Sequence, residues 1–175
     1  MIITSERLEL RELQTTDVTP AYVAWLSDPQ VNRYLETRHS DQTEESVRAF
    51  VARVAAARDE FLFGIYLQDN RHIGNIKIGP IRPIHQLADL SILIGEADCR
   101  GKGYATEAIL ALSRFAFERF PVRKLSASMY SPNQGSAKAF LKAGFRQEGL
   151  RIAHYDLNGE RCDLIELGAL VEYLR

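Results

Sequence analysis

The spacing of hydrophobic residues along the chain predicts strands that alternate with helices. In residues 7–13, Leu8 and Leu10 lie on one face and charged residues on the other, which is typical of a half-buried strand. In residues 104–120, apolar residues recur at the spacing of a helix. Further strands are predicted at residues 61–67, 72–79, 87–95, 124–129, 145–155 and 161–167, and further helices within residues 17–28, 41–54 and 134–143. This order predicts an α/β (α+β) chain with one mixed sheet of about seven strands and about four helices.

Composition narrows the range of functions. The chain has 175 residues, of which 46% are hydrophobic, and it shows neither an internal repeat nor a linker-like stretch. One domain over residues 1–175 is therefore expected. Lysine and arginine total 22, against 23 aspartate and glutamate residues. This balance argues against a protein that binds nucleic acid, because such proteins usually carry a strong basic excess.

Targeting signals and metal-binding patterns also bear on the class of protein. The first residues do not have the charge and hydrophobic pattern of a secretion signal, and no stretch is apolar enough to cross a membrane. We therefore expect a cytoplasmic protein without a membrane partner. The cysteines Cys99 and Cys162 do not have metal-ligand spacing, so neither a metal site nor a disulfide framework is expected.

The most informative segment lies between the strand predicted at residues 87–95 and the helix predicted at residues 104–120. It consists of Arg100, Gly101, Lys102, Gly103, Tyr104 and Ala105. A helix that begins near Gly103 leaves its first backbone N–H groups without intrahelical partners, and these groups favour an anion. The two glycines let the main chain approach a diphosphate, while Arg100 and Lys102 supply positive charge. The segment therefore predicts a phosphate-binding loop. The alternative is a basic turn that only caps an ordinary helix.

Two common phosphate loops do not fit these residues. The dinucleotide fingerprint requires a third glycine where Thr106 stands, and the P-loop requires serine or threonine where Gly103 stands. The segment instead resembles the acetyl-CoA signature of the GNAT N-acetyltransferase superfamily, Arg/Gln-x-x-Gly-x-Gly/Ala, through Arg100, Gly103 and Ala105. The predicted order of elements is also similar to that of the family. The resemblance implies a GNAT fold whose sheet splays between the fourth and fifth strands, with acetyl-CoA as co-substrate.

The resemblance extends past the signature to residues 130–145. There, a strand is followed by Asn133, a short helix and a Gly-Phe pair. The resemblance implies that Asn133 contacts the pantetheine arm of coenzyme A and that Ser136 makes a nearby polar contact. It also implies that the arm borrows hydrogen bonds from the main chain of Ile92, Leu93 and Ile94. As an alternative, Asn133 and Ser136 are residue types that commonly cap helices.

The chemistry implied by the family is direct attack of an uncharged amine on the acetyl thioester. A carboxylate, often acting through water, must then accept a proton from the amine. The first candidate for this base is Asp89, at the start of the strand where many family members carry glutamate. Glu96 is the second candidate and His85 the third.

One position departs from the family pattern. The tyrosine that usually donates a proton to the departing thiolate lies four residues before the Gly-Phe pair, and here that position is Phe140. Phe140 can pack on the cofactor but cannot donate a proton. Tyr130 or Ser131 is then the donor, or else backbone amides stabilise the thiolate and solvent protonates it.

The acceptor amine is less well specified by the sequence. Residues 33–38 are similar to the group of GNAT enzymes that act on amino-sugar nucleotides, in which Arg33 and Arg38 could meet a diphosphate. A polyamine is an alternative acceptor, for which Glu36 and other carboxylates are candidates, and the N-terminal amine of a protein is another.

Two further expectations concern the activity and assembly of the chain. An alternative outside the enzymes is a non-catalytic module that binds acyl-CoA. In such a module, Phe140 would reflect the loss of the catalytic tyrosine. A homodimer that uses the end of the chain is also expected.

Overall fold

The predicted strands form one open sheet with helices on both faces. The computed structural model describes residues 1–174. The strands are β1 (Ile2–Thr4), β2 (Leu8–Glu12), β3 (Phe61–Leu67), β4 (His72–Arg82), β5 (Leu87–Ile94), β6 (Lys124–Tyr130), β7 (Arg146–Leu157) and β8 (Glu160–Leu170). The α-helices are α1 (Pro20–Ser27), α2 (Pro29–Asn32), α3 (Glu44–Ala56), α4 (Tyr104–Arg119) and α5 (Gln134–Lys142). None of the helices within residues 1–174 is long and apolar enough to span a membrane.

The strand order places the one parallel pair near the middle of the sheet. The order is β1-β2-β3-β4-β5-β6-β8-β7, and β5 with β6 is parallel, whereas the other neighbours are antiparallel. β5 and β6 pair only from Leu87 to Asp89, opposite Lys124 to Ser126. Beyond Asp89 the two strands separate, which opens a gap in the sheet. These are the fourth and fifth predicted strands, so the predicted fold and its splay are confirmed.

Three details differ from the predicted pattern. β1 was not predicted, because a strand of three residues is too short to show a period of two. α2 follows α1 directly, since Asp28 caps its N-terminus and Pro29 is tolerated in a first helical turn. β4 continues to Arg82 through a register shift between Ile78 and Ile81. The connection between β4 and β5 is therefore only a turn at residues 83–86.

The hydrophobic core has two parts, one on each face of the sheet. The larger part lies under α4 and α5 and includes Ile109, Leu112 and Phe140. The smaller part lies under α1 and α3 and includes Trp25 and Val51. These four helices therefore each pack buried residues against the sheet, whereas α2 has no buried residue.

One part of the sheet is left uncovered. Asp89 and Ser91 of β5 point away from the larger core, as does Ser128 of β6. Ser91 and Ser128 are exposed although they lie in central strands. We call the surface formed by Asp89, Ser91 and Ser128 the open face. A small polar floor in the middle of a sheet leaves room for another molecule.

Candidate active site

A cleft occupies the gap where β5 and β6 separate. It has a volume of about 460 Å³. Its walls come from the end of β5, the loop and helix start at residues 99–106, the first two turns of α5 and its last residue, and residues 30–35. The predicted residues Ile92, Leu93, Ile94, Arg100, Gly101, Gly103, Tyr104, Ala105, Asn133 and Ser136 all line it. The fold therefore brings together residues that are more than 40 positions apart in the sequence.

The predicted phosphate-binding loop has a main chain suited to an anion. Gly101 and Gly103 have φ angles of 74° and 85°, a backbone region that residues other than glycine rarely adopt. Gly103 immediately precedes α4, and within the described chain no side chain caps this helix. Its first N–H groups are therefore left for a ligand, at the positive end of the helix dipole. A Cβ atom at Gly101 would meet no atom within 4 Å, so the main chain there is open to an approaching phosphate.

Arginines hold this loop in place. Arg100 donates from Nη2 to the carbonyl oxygen of Gly95 at 3.0 Å, which ties the loop to the end of β5. Arg7 donates from Nη1 to the carbonyl oxygen of Lys102 at 3.1 Å. The side chain of Lys102 is exposed beside the cleft. The loop is thus shaped before any ligand arrives.

Glu107, in the first turn of α4, anchors the N-terminal segment to this helix. It accepts hydrogen bonds from Ser5 Oγ and from the Nε of Arg7, each at 2.7 Å. Partial burial acts to raise the pKa of Glu107, but the bonds from Ser5 and Arg7 outweigh it and hold that pKa below its ordinary value. A negative charge near a helix N-terminus is also favourable.

The strand β5 offers alternate main-chain groups to the cleft. The N–H of Gly95 donates to the carbonyl oxygen of Ile73 on β4 at 2.9 Å. Hydrogen-bonded positions alternate along an antiparallel pair, and Leu93 lies two residues before Gly95. The main-chain groups of Leu93 therefore also bond toward β4. The N–H and C=O groups of Ile92 and Ile94 consequently point across the gap. Leu93 also lines the cleft, and its side chain packs against the smaller part of the core.

The helix α5 forms the opposite wall. Asn133 caps it, because its Oδ1 accepts from the N–H of Ser136 at 3.3 Å. Within residues 1–174, the amide nitrogen of Asn133 makes no hydrogen bond and is available to a ligand. Phe140 lies deeper, in the core, where it is 2% exposed and its ring packs edge-on against Phe145 at 4.9 Å. The position of the usual tyrosine therefore faces the core in this chain.

The candidate bases occupy different places. Asp89 lies on the open face, where the last paired residues of β5 and β6 meet, and its Oδ1 is 2.8 Å from Nη2 of Arg82. Glu96 lies beyond the far end of β5, ion-paired with Arg71 and bonded by Trp25 Nε1 at 3.0 Å. His85 is exposed in the turn after β4. Asp89 is thus the candidate on the floor beside the gap.

Tyr130 belongs to a polar cluster at the end of β6. Its hydroxyl donates to Glu36 and accepts from Nη2 of Arg38 at 3.0 Å. Burial, followed by the bond to Glu36, raises the pKa of Tyr130 above its ordinary value. The side chain of Arg38 is 10% exposed and that of Glu36 is 73% exposed. The largely buried Arg38 is therefore occupied by its hydrogen bond to Tyr130, whereas the side chain of Glu36 is exposed to solvent.

Several residues at the site were not predicted. Tyr34 and Tyr155 flank Tyr130, with ring centroids 6.2 and 4.7 Å away. Lys138 and Lys142 line the cleft from α5. Their spacing of four residues on a helix was a usable signal, because it places both on one face. The tyrosines had no such signal, since they come from distant segments.

Comparisons with known proteins agree with this geometry. The family described as Acetyltransferase (GNAT) domain matches residues 7–146. The uncharacterized N-acetyltransferase YokL of a Bacillus subtilis prophage is 29% identical over 146 residues, covering 83% of this chain and 80% of YokL.

Solved structures share the fold at lower identity. RimL, a ribosomal alpha-N-protein acetyltransferase in complex with coenzyme A, has a TM-score of 0.86 at 22% identity and covers 99% of both chains. Spermidine N-acetyltransferase of Vibrio cholerae, in complex with CoA and spermine, has a TM-score of 0.84 at 20% identity, covering 96% of this chain and 98% of that one. Together with the match over residues 7–146, these findings show that the chain belongs to the GNAT family and is an N-acetyltransferase.

Proposed function

We propose that the chain transfers the acetyl group of acetyl-CoA to a primary amine by direct attack in a ternary complex. The observation that carries this proposal is the separation of β5 and β6 beyond Asp89. The uncapped N-terminus of α4 borders the cleft in this gap, and Asp89 lies on the open face where the gap begins. A thioester held in the gap would therefore meet an amine that arrives on the open face.

The walls of the cleft suit the parts of coenzyme A. The loop from Arg100 to Ala105 would hold the diphosphate through backbone N–H groups. Ile92 and Ile94 would bond the pantetheine arm as a neighbouring strand does, and Asn133 would donate its free amide from the opposite wall. No part of this arrangement requires a metal ion.

The reaction needs one proton removed from the amine and one supplied to sulfur. The amine nitrogen attacks the thioester carbon, the carbon–sulfur bond breaks, and the sulfur leaves as a thiolate. We propose that Asp89 removes the proton from the amine, directly or through water, because this carboxylate lies at the floor of the gap. Tyr130 is the proposed donor to the thiolate, with solvent as the alternative source.

The acceptor is proposed to be an amino-sugar nucleotide, on the pattern of residues 33–38. Arg33 supports this choice, because it is exposed, whereas Arg38 is engaged by Tyr130. Exposed Glu36 favours the second candidates, which are a polyamine and a protein N-terminus, since a carboxylate attracts a cationic amine. Two fold neighbours are enzymes for such acceptors, namely RimL, an alpha-N-protein acetyltransferase, and the spermidine N-acetyltransferase.

The experiment is to follow release of free CoA thiol from acetyl-CoA by the purified protein. The acceptors tested are amino-sugar nucleotides, polyamines and short peptides with free amino termini. Release that depends on one class of amine is the expected result and names the acceptor. Binding of acetyl-CoA without release for any amine would contradict the proposal.

A further inference from the structure

The segment that joins β5 to the phosphate-binding loop rests on a side chain from the opposite face of the sheet. Trp25 of α1 belongs to the smaller part of the core, whereas the loop leads into α4, which covers the larger part. The ring of Trp25 lies directly on the main chain of Gly95, where a Cβ atom would come within 2.0 Å of the ring. Any side chain at Gly95 would therefore displace the ring.

Trp25 also bonds the residue that follows Gly95. Its Nε1–H donates to Oε1 of Glu96 at 3.0 Å, and Trp25 is only 6% exposed. A hydrogen bond to a carboxylate is stronger than one between neutral groups, and partial burial limits competition from water. The other carboxylate oxygen of Glu96 pairs with Arg71, which also pairs with Asp98 at 2.6 Å. Glu96 is thus held from two sides.

The ring of Trp25 is itself held in place. It packs edge-on against His72, with ring centroids 4.9 Å apart. Nε2 of His72 lies 3.0 Å from the carbonyl oxygen of Gly74 and 2.8 Å from Oδ1 of Asn75. Because a carbonyl oxygen can only accept, Nε2 is the donor, and these bonds fix the orientation of the imidazole ring. Trp25 is therefore a rigid support for the end of β5.

The supported residues lie on the path to the loop. The backbone N–H groups of Gly95 and Glu96 both donate to the carbonyl oxygen of Ile73, at 2.9 and 3.2 Å. The carbonyl oxygen of Gly95 in turn accepts from Nη2 of Arg100, the first residue of the loop, at 3.0 Å. A shift of Glu96 would therefore move Gly95, and with it Arg100 and the N–H groups that follow.

We propose that Trp25 is a positioning residue for acetyl-CoA, which acts through Glu96 on the loop that receives the diphosphate. The inference rests on the proposed function. Within the described chain, Trp25 does not line the cleft, so its effect on the cofactor must pass through the main chain. An anion site made of N–H groups binds tightly only when its donors are already oriented, and the bond from Trp25 to Glu96 supplies part of that orientation.

The test is a double-mutant cycle in which calorimetry measures the dissociation constant of CoA. Trp25→Phe keeps an aromatic ring beside Gly95 but removes the N–H donor, Glu96→Leu removes the acceptor, and a third variant carries both changes. Tyr22→Phe is the control, because it removes a polar group from the same helix and the same part of the core. Thermal melting confirms that each variant is folded.

We expect Trp25→Phe and Glu96→Leu each to weaken CoA binding about ten-fold. A ten-fold change corresponds to about 1.4 kcal/mol, near the lower limit for a hydrogen bond to a charged group. The double variant should bind CoA no more weakly than Glu96→Leu alone, because Trp25 acts through that carboxylate. Tyr22→Phe should keep the wild-type affinity, even if its melting temperature falls.

Three results would overturn the inference. The first is wild-type affinity for CoA in folded Trp25→Phe. The second is an additive loss in the double variant, which would assign the effect to ring packing rather than to the hydrogen bond, and the third is an equal loss in Tyr22→Phe. All three leave the proposed function intact, because CoA still binds to the wild type. If CoA does not bind to the folded wild type, the proposed function fails, and the inference fails with it.

Discussion

The two sides of the cleft are built in different ways. The side proposed to hold the cofactor, here called the cofactor side, consists mainly of two short segments of the chain, residues 92–94 and 100–106. The acceptor side consists of side chains from separate elements, in which Tyr130 joins Glu36 and stacks on Tyr155. A site made of main chain needs only a local conformation, whereas a site made of side chains needs the whole fold. Substitutions on the acceptor side should therefore leave cofactor binding unchanged. Substitutions on the cofactor side should likewise leave the acceptor side unchanged.

The largest effect is expected from Asp89→Asn. This change removes the proposed base while leaving the cofactor side untouched, so the turnover rate should fall about 1,000-fold, within the range of general-base catalysis. The affinity for acetyl-CoA, measured by calorimetry, should not change.

Glu96→Gln is the matched control for that experiment. Glu96 is held by Arg71 and Trp25, so its replacement should change the turnover rate only a few-fold. Loss of turnover in the Glu96 variant with normal turnover in the Asp89 variant would assign the base to Glu96 instead.

The next effect concerns the glycines of the loop. Gly101→Val with Gly103→Val should weaken acetyl-CoA binding about 100-fold, because branched side chains are strained at positive φ and block the approach of the diphosphate. Gly159→Val is the control, since Gly159 has a φ of 88° in the turn between β7 and β8, away from the cleft. It should lower stability without changing affinity. Equal loss of affinity in both variants would refute the assignment of the loop.

A smaller effect is expected from Phe140→Tyr, which restores the residue usual in the family. Because Phe140 is 2% exposed, the new hydroxyl would be buried in the core, and urea unfolding should show a loss of about 1–3 kcal/mol. The turnover rate should not rise. A faster enzyme of unchanged stability would show that this position reaches the thiolate after all.

The smallest effect is a change in acid stability at Glu107. Burial acts to raise its pKa, but hydrogen bonds lower it below its ordinary value of 4.5 in the folded chain, so the unfolded chain takes up the proton first as pH falls. Its contribution to stability is complete above pH 4.5 and is lost as pH falls through the lower, folded pKa.

Urea unfolding between about pH 3 and pH 6 measures this contribution, and Glu107→Gln should flatten the fall in unfolding free energy on the acid side. Parallel curves for wild type and variant would show that Glu107 does not stabilise the N-terminal segment on α4.

The same contrast explains what the sequence could and could not predict. The strands other than β1, together with α4 and the glycine loop, follow from local periodicity and a short motif, and the splay follows from the family resemblance. The engagement of Arg38 could not be predicted, because its partner Tyr130 lies 92 residues away. The burial of Phe140 likewise depends on packing against Phe145 after the chain has folded. Sequence alone identified most residues that line the proposed cofactor side, whereas the proposed acceptor side depends on tertiary contacts.

The most direct test of the proposed cofactor site is amide hydrogen exchange with and without acetyl-CoA. If the cofactor lies against main-chain groups in the gap, exchange should slow at residues 92–106 and 133–142 and stay unchanged in β3, on the remote part of the sheet. The contrary result is unchanged exchange in those segments, with protection instead at the turn between β7 and β8. That outcome would show that the cofactor binds outside the gap between β5 and β6.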